Sequence, residues 1–334
     1  MNIIPKDDLE HISMHLSNEL EKLRNKTILI TGATGFFGKW LLGSLIFMNQ
    51  KYDTKIEILA VSRDPNKFIK NYPELASNSI TFIQGDLKDI KISLNVDYII
   101  HAGMDVKLNL NSKSDDVVHN EQIIIDNILD IYHSTNCKKL LFTSSGAFYD
   151  KRFYDEPRPS EDLHPTQYST LYGKAKSISE NRIISSNINY SIARCFTFIG
   201  PHLPLDASFA AGNFINSILK NQDIQINGNG TPVRSFLYMS DLVIYLIKLL
   251  TLSSNQIVNV GSDEEISILD LAKEVAKFGS ETGIEVKSDS HSDRISCYSP
   301  NIFKLEKLFN HKKDHINLRS GLEKTINFYK KREA

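Results

Sequence analysis

Short apolar runs rich in β-branched residues alternate with longer stretches of helical spacing between residues 27 and 194. The runs are nearly continuous in apolar residues, which is typical of strands buried on both faces of a parallel sheet. The pattern therefore predicts an α/β fold with a doubly wound parallel sheet covered by helices. The predicted strands are residues 27–31, 56–61, 80–83, 98–101, 140–143 and 190–193.

The pattern changes on either side of this alternating region. Apolar residues spaced as on one helix face predict a helical extension in residues 1–25. After Gly200 and Pro201, frequent Pro, Gly and Asn residues indicate loops around one helix near residues 214–219. We predict a main domain over residues 26–200, to which about 236–280 return, and a smaller C-terminal α/β lobe from 201–235 and 281–334.

Charge and cysteine content argue against several classes of protein. The formal net charge of −1 gives no general attraction to nucleic acid or to an anionic membrane, so we expect neither as a partner. Cys137, Cys195 and Cys297 lack CxxC spacing, which argues against a disulfide framework or a zinc site and favours a reducing compartment. No histidine pattern indicates a metal site.

The N-terminus bears on localisation. Since no apolar segment of signal-peptide length follows Met1, we expect a cytoplasmic protein.

A glycine-rich turn joins the first predicted strand to the helix that follows it. Gly32, Gly35 and Gly38 have the spacing G-x-x-G-x-x-G, and the predicted helix covers residues 39–48. Glycines in such a turn let the backbone approach a pyrophosphate, which then meets the positive end of the helix. The strand–turn–helix context predicts a dinucleotide-binding domain of the Rossmann type over residues 26–200.

The spacing of these glycines resembles that of the extended short-chain dehydrogenase/reductase superfamily. Gly85-Asp86-Leu87 after the third strand resembles its adenine-contacting segment, and His101-Ala102-Gly103 after the fourth resembles its loop beneath the cofactor. The resemblance implies a bound nicotinamide dinucleotide. The contacts that it implies are Gly32, Thr34, Gly35, Phe36, Phe37, Gly38, Asp86, Leu87, Ala102, Gly103 and Phe196.

The end of the second strand bears on the choice between NAD and NADP. NAD-preferring sites generally place an acidic residue there to bind the ribose 2′-hydroxyl. Ser62 occupies the position and Arg63 follows it, so a 2′-phosphate meets no repulsion and gains a cationic partner. We expect both residues to bind the cofactor and favour NADP(H). Asp64 keeps NAD(H) open, because a shift of one residue returns an acid to the ribose.

A second motif, Y-G-K-A-K at residues 172–176, places Tyr172 and Lys176 on one helix face. An unperturbed phenol has a pKa of about 10, and a nearby ammonium or cationic nicotinamide favours its ionised form. Upstream, the segment S-S-G-A-F-Y at residues 144–149 resembles the family segment with the catalytic hydroxyl, which falls on Ser145. We predict that Tyr172 transfers the proton, Lys176 assists it and holds the cofactor ribose, and Ser145 binds the substrate oxygen.

Later segments resemble the substrate-binding elements of nucleotide-sugar enzymes in this superfamily. R-C-F-T-F-I-G-P at 194–201 resembles R-x-x-N-V-Y-G-P, and R-S-F-L-Y-M-S-D at 234–241 resembles R-D-F-x-Y-V-x-D. The resemblance covers residues 26 to 330 and implies that two arginines of the smaller lobe hold the diphosphate of a nucleotide-diphosphate sugar. The predicted substrate residues are Ser145, Gly146, Thr197, Asn213, Phe214, Arg234 and Arg294.

Residues that differ from the family pattern help to rank the possible reactions. Sugar-nucleotide 4,6-dehydratases carry an Asp-Glu pair where this chain has Gly146 and Ala147, and Thr197 replaces a family Asn. Without the acidic pair the elimination step loses its acid–base groups. We therefore expect epimerisation of a sugar carbon, C4 favoured, with an NADPH-dependent 4-ketoreductase as the alternative. A 4,6-dehydratase, a non-sugar carbonyl reductase and a non-catalytic dinucleotide-binding protein rank below them.

The resemblance also bears on assembly. It implies a homodimer formed through two predicted helices, residues 114–134 and 167–186.

Overall fold

The computed structural model of the chain describes residues 3–104, 116–149, 158–205, 209–280, 282–287 and 296–333. The chain divides into two compact units. The first comprises Met1–Phe148, Gln167–Arg194 and Leu242–Val258, and the second comprises Tyr149–Thr166, Cys195–Asp241 and Asn259–Ala334. The predicted boundaries differ from this division. Residues 149–166, 195–200, 236–241 and 259–280 group with the second unit, and the helical extension groups with the first.

A seven-stranded sheet forms the centre of the first unit. Its strands are β1 Thr27–Thr31, β2 Glu57–Ser62, β3 Ile80–Gln84, β4 Tyr98–His101, β5 Lys139–Ser145, β6 Tyr190–Cys195 and β11 Gln256–Val260. They lie in the order β11-β6-β5-β4-β1-β2-β3, and β1 pairs in parallel with both β2 and β4. The doubly wound α/β fold predicted from the apolar runs is confirmed.

Helices precede the sheet and connect its strands. They are α1 Lys6–His15, α2 Ser17–Leu23, α3 Phe36–Tyr52, α4 Pro65–Asn71, α5 Asp116–Ser134, α6 Leu171–Ser185 and α8 Met239–Thr251. The predicted extension forms two helices, because Leu16 between them leaves helical dihedral angles (φ −112°, ψ 15°). Its apolar residues Ile12, Leu20 and Leu23 are buried.

Apolar side chains of the strands and helices form one core in this unit. Leu29 of β1, Ile99 of β4 and Leu140 of β5 pack in a buried cluster with Ile125 and Ile128 of α5. Helices cover both faces of the sheet, so a ligand reaches it at the ends of its strands. The chain order reverses at β1, and the carboxyl ends of β1 and β4 are where a ligand binds in sheets of this type.

The second unit combines short helices with three small sheets. Its helices are α7 Ala210–Leu219, α9 Ile268–Ala276, α10 Phe303–Phe309 and α11 Leu318–Glu333. Its strands pair as β10 (Leu237–Tyr238) with β7 (Phe198–Ile199), β9 (Val233–Ser235) with β12 (Glu265–Ser267) and β14 (Cys297–Tyr298), and β8 (Ile224–Ile226) with β13 (Ile284–Val286). The expected mixed α/β lobe is confirmed, whereas its role in substrate binding stays a prediction. Across the described ranges, no helix has both the length and the apolar character needed to span a membrane.

Candidate active site

The glycine-rich turn lies at the carboxyl end of β1. Gly32 has a φ of 68°, and a Cβ there would lie 2.4 Å from the carbonyl oxygen of Ala102. A Cβ at Gly38 would lie 2.2 Å from the carbonyl oxygen of Ala33. Only glycine fits these two positions, so the turn brings the strand, the helix start and the loop after β4 into backbone contact.

Helix α3 begins at Phe36, earlier than the predicted Lys39. Gly35 is its N-cap, and this residue has no side chain to satisfy the N–H groups of the first turn. Those groups and the helix dipole suit an anion such as a pyrophosphate. The rings of Phe36 and Phe37 lie against each other with centroids 6.0 Å apart, and Thr34 is half-buried in the same turn.

Ser62, Arg63 and Asp64, at the end of β2, differ in burial and in hydrogen bonding. Ser62 is buried, and its Oγ accepts a hydrogen bond from the N–H of Asp64. Asp64 is the N-cap of α4, where its Oδ1 accepts from the N–H of Lys67 at 3.0 Å. Arg63 is exposed. One oxygen of the Asp64 carboxylate is thus engaged in a helix cap, and both Asp64 and the neighbouring Arg63 are exposed.

Two more predicted cofactor segments meet beside the glycine turn. Asp86 is exposed after β3, and its Oδ1 accepts from the N–H of Lys88 at 3.0 Å. Ala102 and Gly103 follow β4, and a Cβ on Gly103 would lie 2.7 Å from Cδ1 of Leu87. The loops after β3 and β4 therefore contact each other.

The three predicted catalytic residues lie on β5 and α6 and are all buried. Ser145 is the last residue of β5, and its Oγ accepts from the N–H of Ala147 at 3.1 Å. Tyr172 and Lys176 lie in the first two turns of α6. The Nζ of Lys176 is 5.9 Å from the centre of the Tyr172 ring and donates to the carbonyl oxygen of Thr143 at 3.1 Å. The ammonium is therefore held near the Tyr172 ring by the backbone of β5.

A glycine brings α6 close to the turn that follows β5. A Cβ on Gly173 would lie 2.2 Å from the carbonyl oxygen of Ala147, within the short turn Gly146–Phe148. Thr170 caps the helix, because its Oγ1 accepts from the N–H of Gly173 at 3.0 Å. This backbone contact positions the start of α6, and with it Tyr172, against the end of β5.

A buried ion pair lies directly behind that strand end. Arg194 and Glu180 are each about 1% exposed, with Nη2 and Oε2 2.8 Å apart. The Oγ of Ser144 donates to Oε1 of Glu180 at 2.5 Å, and the guanidinium lies 3.6 Å above the Phe148 ring. Removing one partner of such a pair leaves an uncompensated buried charge. The network therefore ties β5, β6 and α6 together around the site.

Two further titratable side chains lie near Lys176. Oε1 of Glu121 on α5 lies 4.0 Å from the Lys176 Nζ and accepts from the Oγ of Ser179. Burial raises the pKa of Glu121, while Lys176 and then Ser179 act in the opposite direction. His101 ends β4 with its Nδ1 2.6 Å from Oγ1 of Thr31. Burial, with Lys176 as the second cause, lowers the pKa of His101 to about 3, so the ring is neutral at neutral pH.

Three predicted ligand residues lie around β9 in the second unit. The Oγ1 of Thr197 donates to the carbonyl oxygen of Ser235. Arg234 is half-buried on β9, and its guanidinium carbon lies 5.9 Å from the centre of the Tyr298 ring. Phe196 packs on the same tyrosine with ring centroids 4.9 Å apart. The hydroxyl predicted to contact substrate is therefore engaged within the protein.

Two more predicted substrate residues, Asn213 and Phe214, line a cavity of about 210 Å³ in the second unit. Gln225, Asn227, Gly228 and Ile268 contribute to the same wall. Amide groups beside a phenyl ring suit a planar ring with hydrogen-bonding edges. The last predicted substrate residue, Arg294, lies outside the described residues.

Sequence reasoning missed several residues of the catalytic surroundings. Glu180 has a signal in the sequence, because it follows Lys176 by four positions and lies on the same face of α6. Gly173 stands inside the recognised motif but was assigned no role. Glu121 has no local signal, because it reaches Lys176 from a different helix.

Comparison with known proteins gives a family and several relatives of similar length. The model of the NAD dependent epimerase/dehydratase family matches residues 28–261. A putative UDP-glucose 4-epimerase of Methanocaldococcus jannaschii is 28% identical over 322 residues, which cover 91% of this chain and 98% of that protein. The match therefore extends over nearly the whole length of both chains.

Solved structures share the fold at lower sequence identity. An epimerase of Methanothermobacter thermautotrophicus has a TM-score of 0.80 at 19% identity, covering 96% of this chain and 97% of its own. The UDP-glucuronic acid 4-epimerase of Bacillus cereus, solved with UDP-glucuronic acid and NAD, has a TM-score of 0.75 at 22% identity, covering 92% and 99%. At this identity the likeness establishes the fold.

Proposed function

Because the chain belongs to the NAD-dependent epimerase/dehydratase family, we propose that it is an enzyme that alters a nucleotide-diphosphate sugar through a transient keto sugar. The observation that carries the proposal is the packing of α6 on the end of β5, with Ser145, Tyr172 and Lys176 buried in one unit with the glycine turn. Buried acid–base groups beside a dinucleotide-binding turn suit the reversible oxidation of an alcohol.

Each side chain has one task in this reaction. A nicotinamide dinucleotide, when bound, supplies the hydride acceptor and donor. The phenolate of Tyr172 takes the proton of the substrate hydroxyl and later returns it. The ammonium of Lys176 stabilises that phenolate and donates to the cofactor ribose. The hydroxyl of Ser145 donates to the substrate oxygen and holds the reacting carbon in place.

Epimerisation, with C4 favoured, is the leading reaction, and one-way reduction of a 4-keto sugar is the alternative. The turn after β5 supports this order, because Gly146–Phe148 carries no carboxyl group for the elimination that a 4,6-dehydratase performs.

The second unit has features that suit the nucleotide and the diphosphate. The cavity beside Asn213 and Phe214 is suited to a nucleobase, with amides for its edges and a phenyl ring for its face. The half-buried guanidinium of Arg234 suits phosphate oxygens, and Arg294 is proposed as its second cation.

The finer cofactor proposal is that NADP(H) is preferred to NAD(H). Arg63 is exposed at the end of β2, where a ribose 2′-phosphate is expected. One oxygen of the Asp64 carboxylate accepts from the N–H of Lys67 as the cap of α4, which favours Arg63 as the residue that meets the ribose.

We also propose that the enzyme is a cytoplasmic homodimer. All three cysteines are free thiols, which suits a reducing compartment. Ile123 on α5 and Ile184 on α6 are exposed apolar residues on the two helices expected to form the interface.

The function is tested by identifying copurified ligands by mass spectrometry and then screening nucleotide sugars for isomer interconversion. Interconversion without added NADPH is expected for an epimerase, and stoichiometric NADPH consumption for a reductase. Tyr172→Phe is the control and should lose about 100-fold or more in turnover with cofactor binding intact. Reduction of simple carbonyl compounds, with every nucleotide sugar inert, would contradict the proposal.

A further inference from the structure

A carboxyl group that the proposed mechanism does not use lies behind the catalytic lysine. Glu121 is 2% exposed on α5, and its Oε1 is 4.0 Å from the Nζ of Lys176. The Oγ of Ser179, on the next turn of α6, donates to the same oxygen at 3.1 Å. A carboxyl this deeply buried is costly unless it is paired. The partners of Glu121 are the ammonium of Lys176 and the hydroxyl of Ser179, both on α6.

The other titratable groups near this pair are either bound to different partners or neutral. Glu180 on α6 is engaged by Arg194 of β6 and by Ser144. On β4, His101 is neutral at neutral pH because burial lowers its pKa to about 3. Of the carboxyl groups whose contacts the described residues show, Glu121 is therefore the one that lies next to the Lys176 ammonium.

The next ion pair between the same two helices has a different setting. Asp126 of α5 and Arg182 of α6 lie 2.7 Å apart and are both about half exposed. Water screens such a pair, so its charges have little influence on a buried centre. It provides a matched comparison within the same helix pair.

Among the contacts given for the described residues, two charged groups bear on the ionisation of Tyr172: the Lys176 ammonium and, beside it, the Glu121 carboxyl. A lone ammonium 5.9 Å from the ring centre favours the phenolate. Burial raises the pKa of Glu121, so this carboxyl ionises at a higher pH than an exposed one. Once it is ionised, it offsets the ammonium and keeps the proton on the phenol to a higher pH. We propose that Glu121 is a positioning residue of the catalytic centre, which fixes the ammonium of Lys176 and sets how far its charge promotes the ionisation of Tyr172.

This role has a chemical use in a reaction that returns hydride to a ketone. The second half of the reaction needs Tyr172 as a proton donor, and a phenol that is ionised too readily is a poor donor at neutral pH. Glu121 balances the two directions of proton transfer. The inference rests on the proposed function only in taking Tyr172 as the proton-transferring group.

The test measures the ionisation of Tyr172 directly and needs no substrate. The full-length protein, saturated with NADP⁺ or NAD⁺, is titrated with base while the ultraviolet absorbance of ionised phenol is recorded. Subtracting the same titration of Tyr172→Phe isolates the one side chain. Glu121→Gln keeps the shape and the hydrogen bond from Ser179 but removes the charge, so the midpoint should fall by about one pH unit or more.

Two further variants make the result specific. Asp126→Asn removes a carboxyl from the same helix and should leave the midpoint unchanged. Ser179→Ala removes the hydrogen bond that favours the ionised carboxyl, so the midpoint should move in the same direction as in Glu121→Gln, by less. A midpoint in folded Glu121→Gln that equals or exceeds that of the unaltered protein would overturn the proposal. If Glu121→Gln does not fold, Ser179→Ala decides, and an unmoved midpoint overturns it.

The outcome is separable from that of the proposed function. If no nucleotide sugar is converted but the midpoints move as expected, the assignment of substrate fails and the role of Glu121 stands. If nucleotide sugars are converted and the midpoints coincide, the function stands and the role of Glu121 is wrong.

Discussion

His101 links the stability of the first unit to pH. Its ring is buried, bonds to Thr31 and stacks on Phe142 with centroids 5.4 Å apart. Burial lowers its pKa from the ordinary 6.5 to about 3. The unfolded chain takes up a proton here as pH falls through about 6.5, whereas the native protein takes it up only near 3. This contribution to stability is therefore fully present above pH 6.5 and is lost as pH falls.

We expect urea midpoints to fall as pH is lowered from about 7 to about 5, with part of the slope due to this one residue. His101→Gln should be less stable at neutral pH but show a shallower slope over that range, because no buried imidazole remains to resist protonation. His133→Gln, an exposed change on α5, should keep the slope of the unaltered protein. Equal slopes in all three proteins would show that His101 does not contribute.

Arg234 tests the assignment of a nucleotide-diphosphate substrate. A side chain that binds the diphosphate, far from the reacting carbon, binds ground state and transition state about equally. Arg234→Ala should raise KM for the nucleotide sugar tenfold or more, about 1.4 kcal/mol, with kcat nearly unchanged. Nucleoside diphosphate should inhibit the unaltered enzyme competitively and the variant much less. Arg24→Ala, which removes a partly exposed arginine paired with Glu21, is the control. An unchanged KM would show that Arg234 does not bind the diphosphate.

Arg63 tests the cofactor preference. If its guanidinium meets a 2′-phosphate, Arg63→Ala should cost about 1.5–3 kcal/mol in NADP(H) binding and leave NAD(H) binding nearly unchanged. Fluorescence titration with both reduced cofactors gives the two affinities. Equal weakening of both would instead assign the ribose to Asp64 and the enzyme to NAD.

At the scale of elements, the contact between α6 and the turn after β5 positions the proposed catalytic residues relative to each other. Gly173→Ala places a Cβ where the carbonyl oxygen of Ala147 lies, 2.2 Å away, so the helix start must move. We expect a loss of stability of about 1–3 kcal/mol, together with at least a tenfold fall in turnover. Lys174→Ala, the adjacent exposed position, should change neither. Wild-type turnover in Gly173→Ala would show that the contact does not position Tyr172.

Elements were predicted well where their periodicity was strong. The runs at 27–31 and 98–101 match β1 and β4 residue for residue, because a strand buried on both faces is apolar throughout. Helix starts were predicted less well. Helix α3 begins at Phe36 inside the glycine motif, since a glycine N-cap gives no side-chain signal.

At the scale of the whole molecule, the exposed apolar residues of α5 and α6 bear on assembly. Ile123 is 36% and Ile184 42% exposed. We expect sedimentation to show a homodimer, and the double substitution Ile123→Asp and Ile184→Asp to give monomers, because like charges would be buried without partners. Phe303→Asp removes a more exposed apolar residue, at 74%, from α10 and should leave the dimer intact. A monomer before any substitution would contradict this proposal.

The amino-acid sequence determined the fold class, the glycine turn and the motif residues Ser145, Tyr172 and Lys176, because strand periodicity, turn glycines and residues four apart on a helix are local properties of a chain. Other features arise only when separate elements pack together. They are the pairing of Glu121 with Lys176, the burial of Arg194 against Glu180 and the cavity around Asn213. Burial is set by packing, and burial determines which charges are screened and which pKa values move. The proposed catalytic residues can therefore be identified from the sequence alone, whereas the charges and burial around them are set by the tertiary fold.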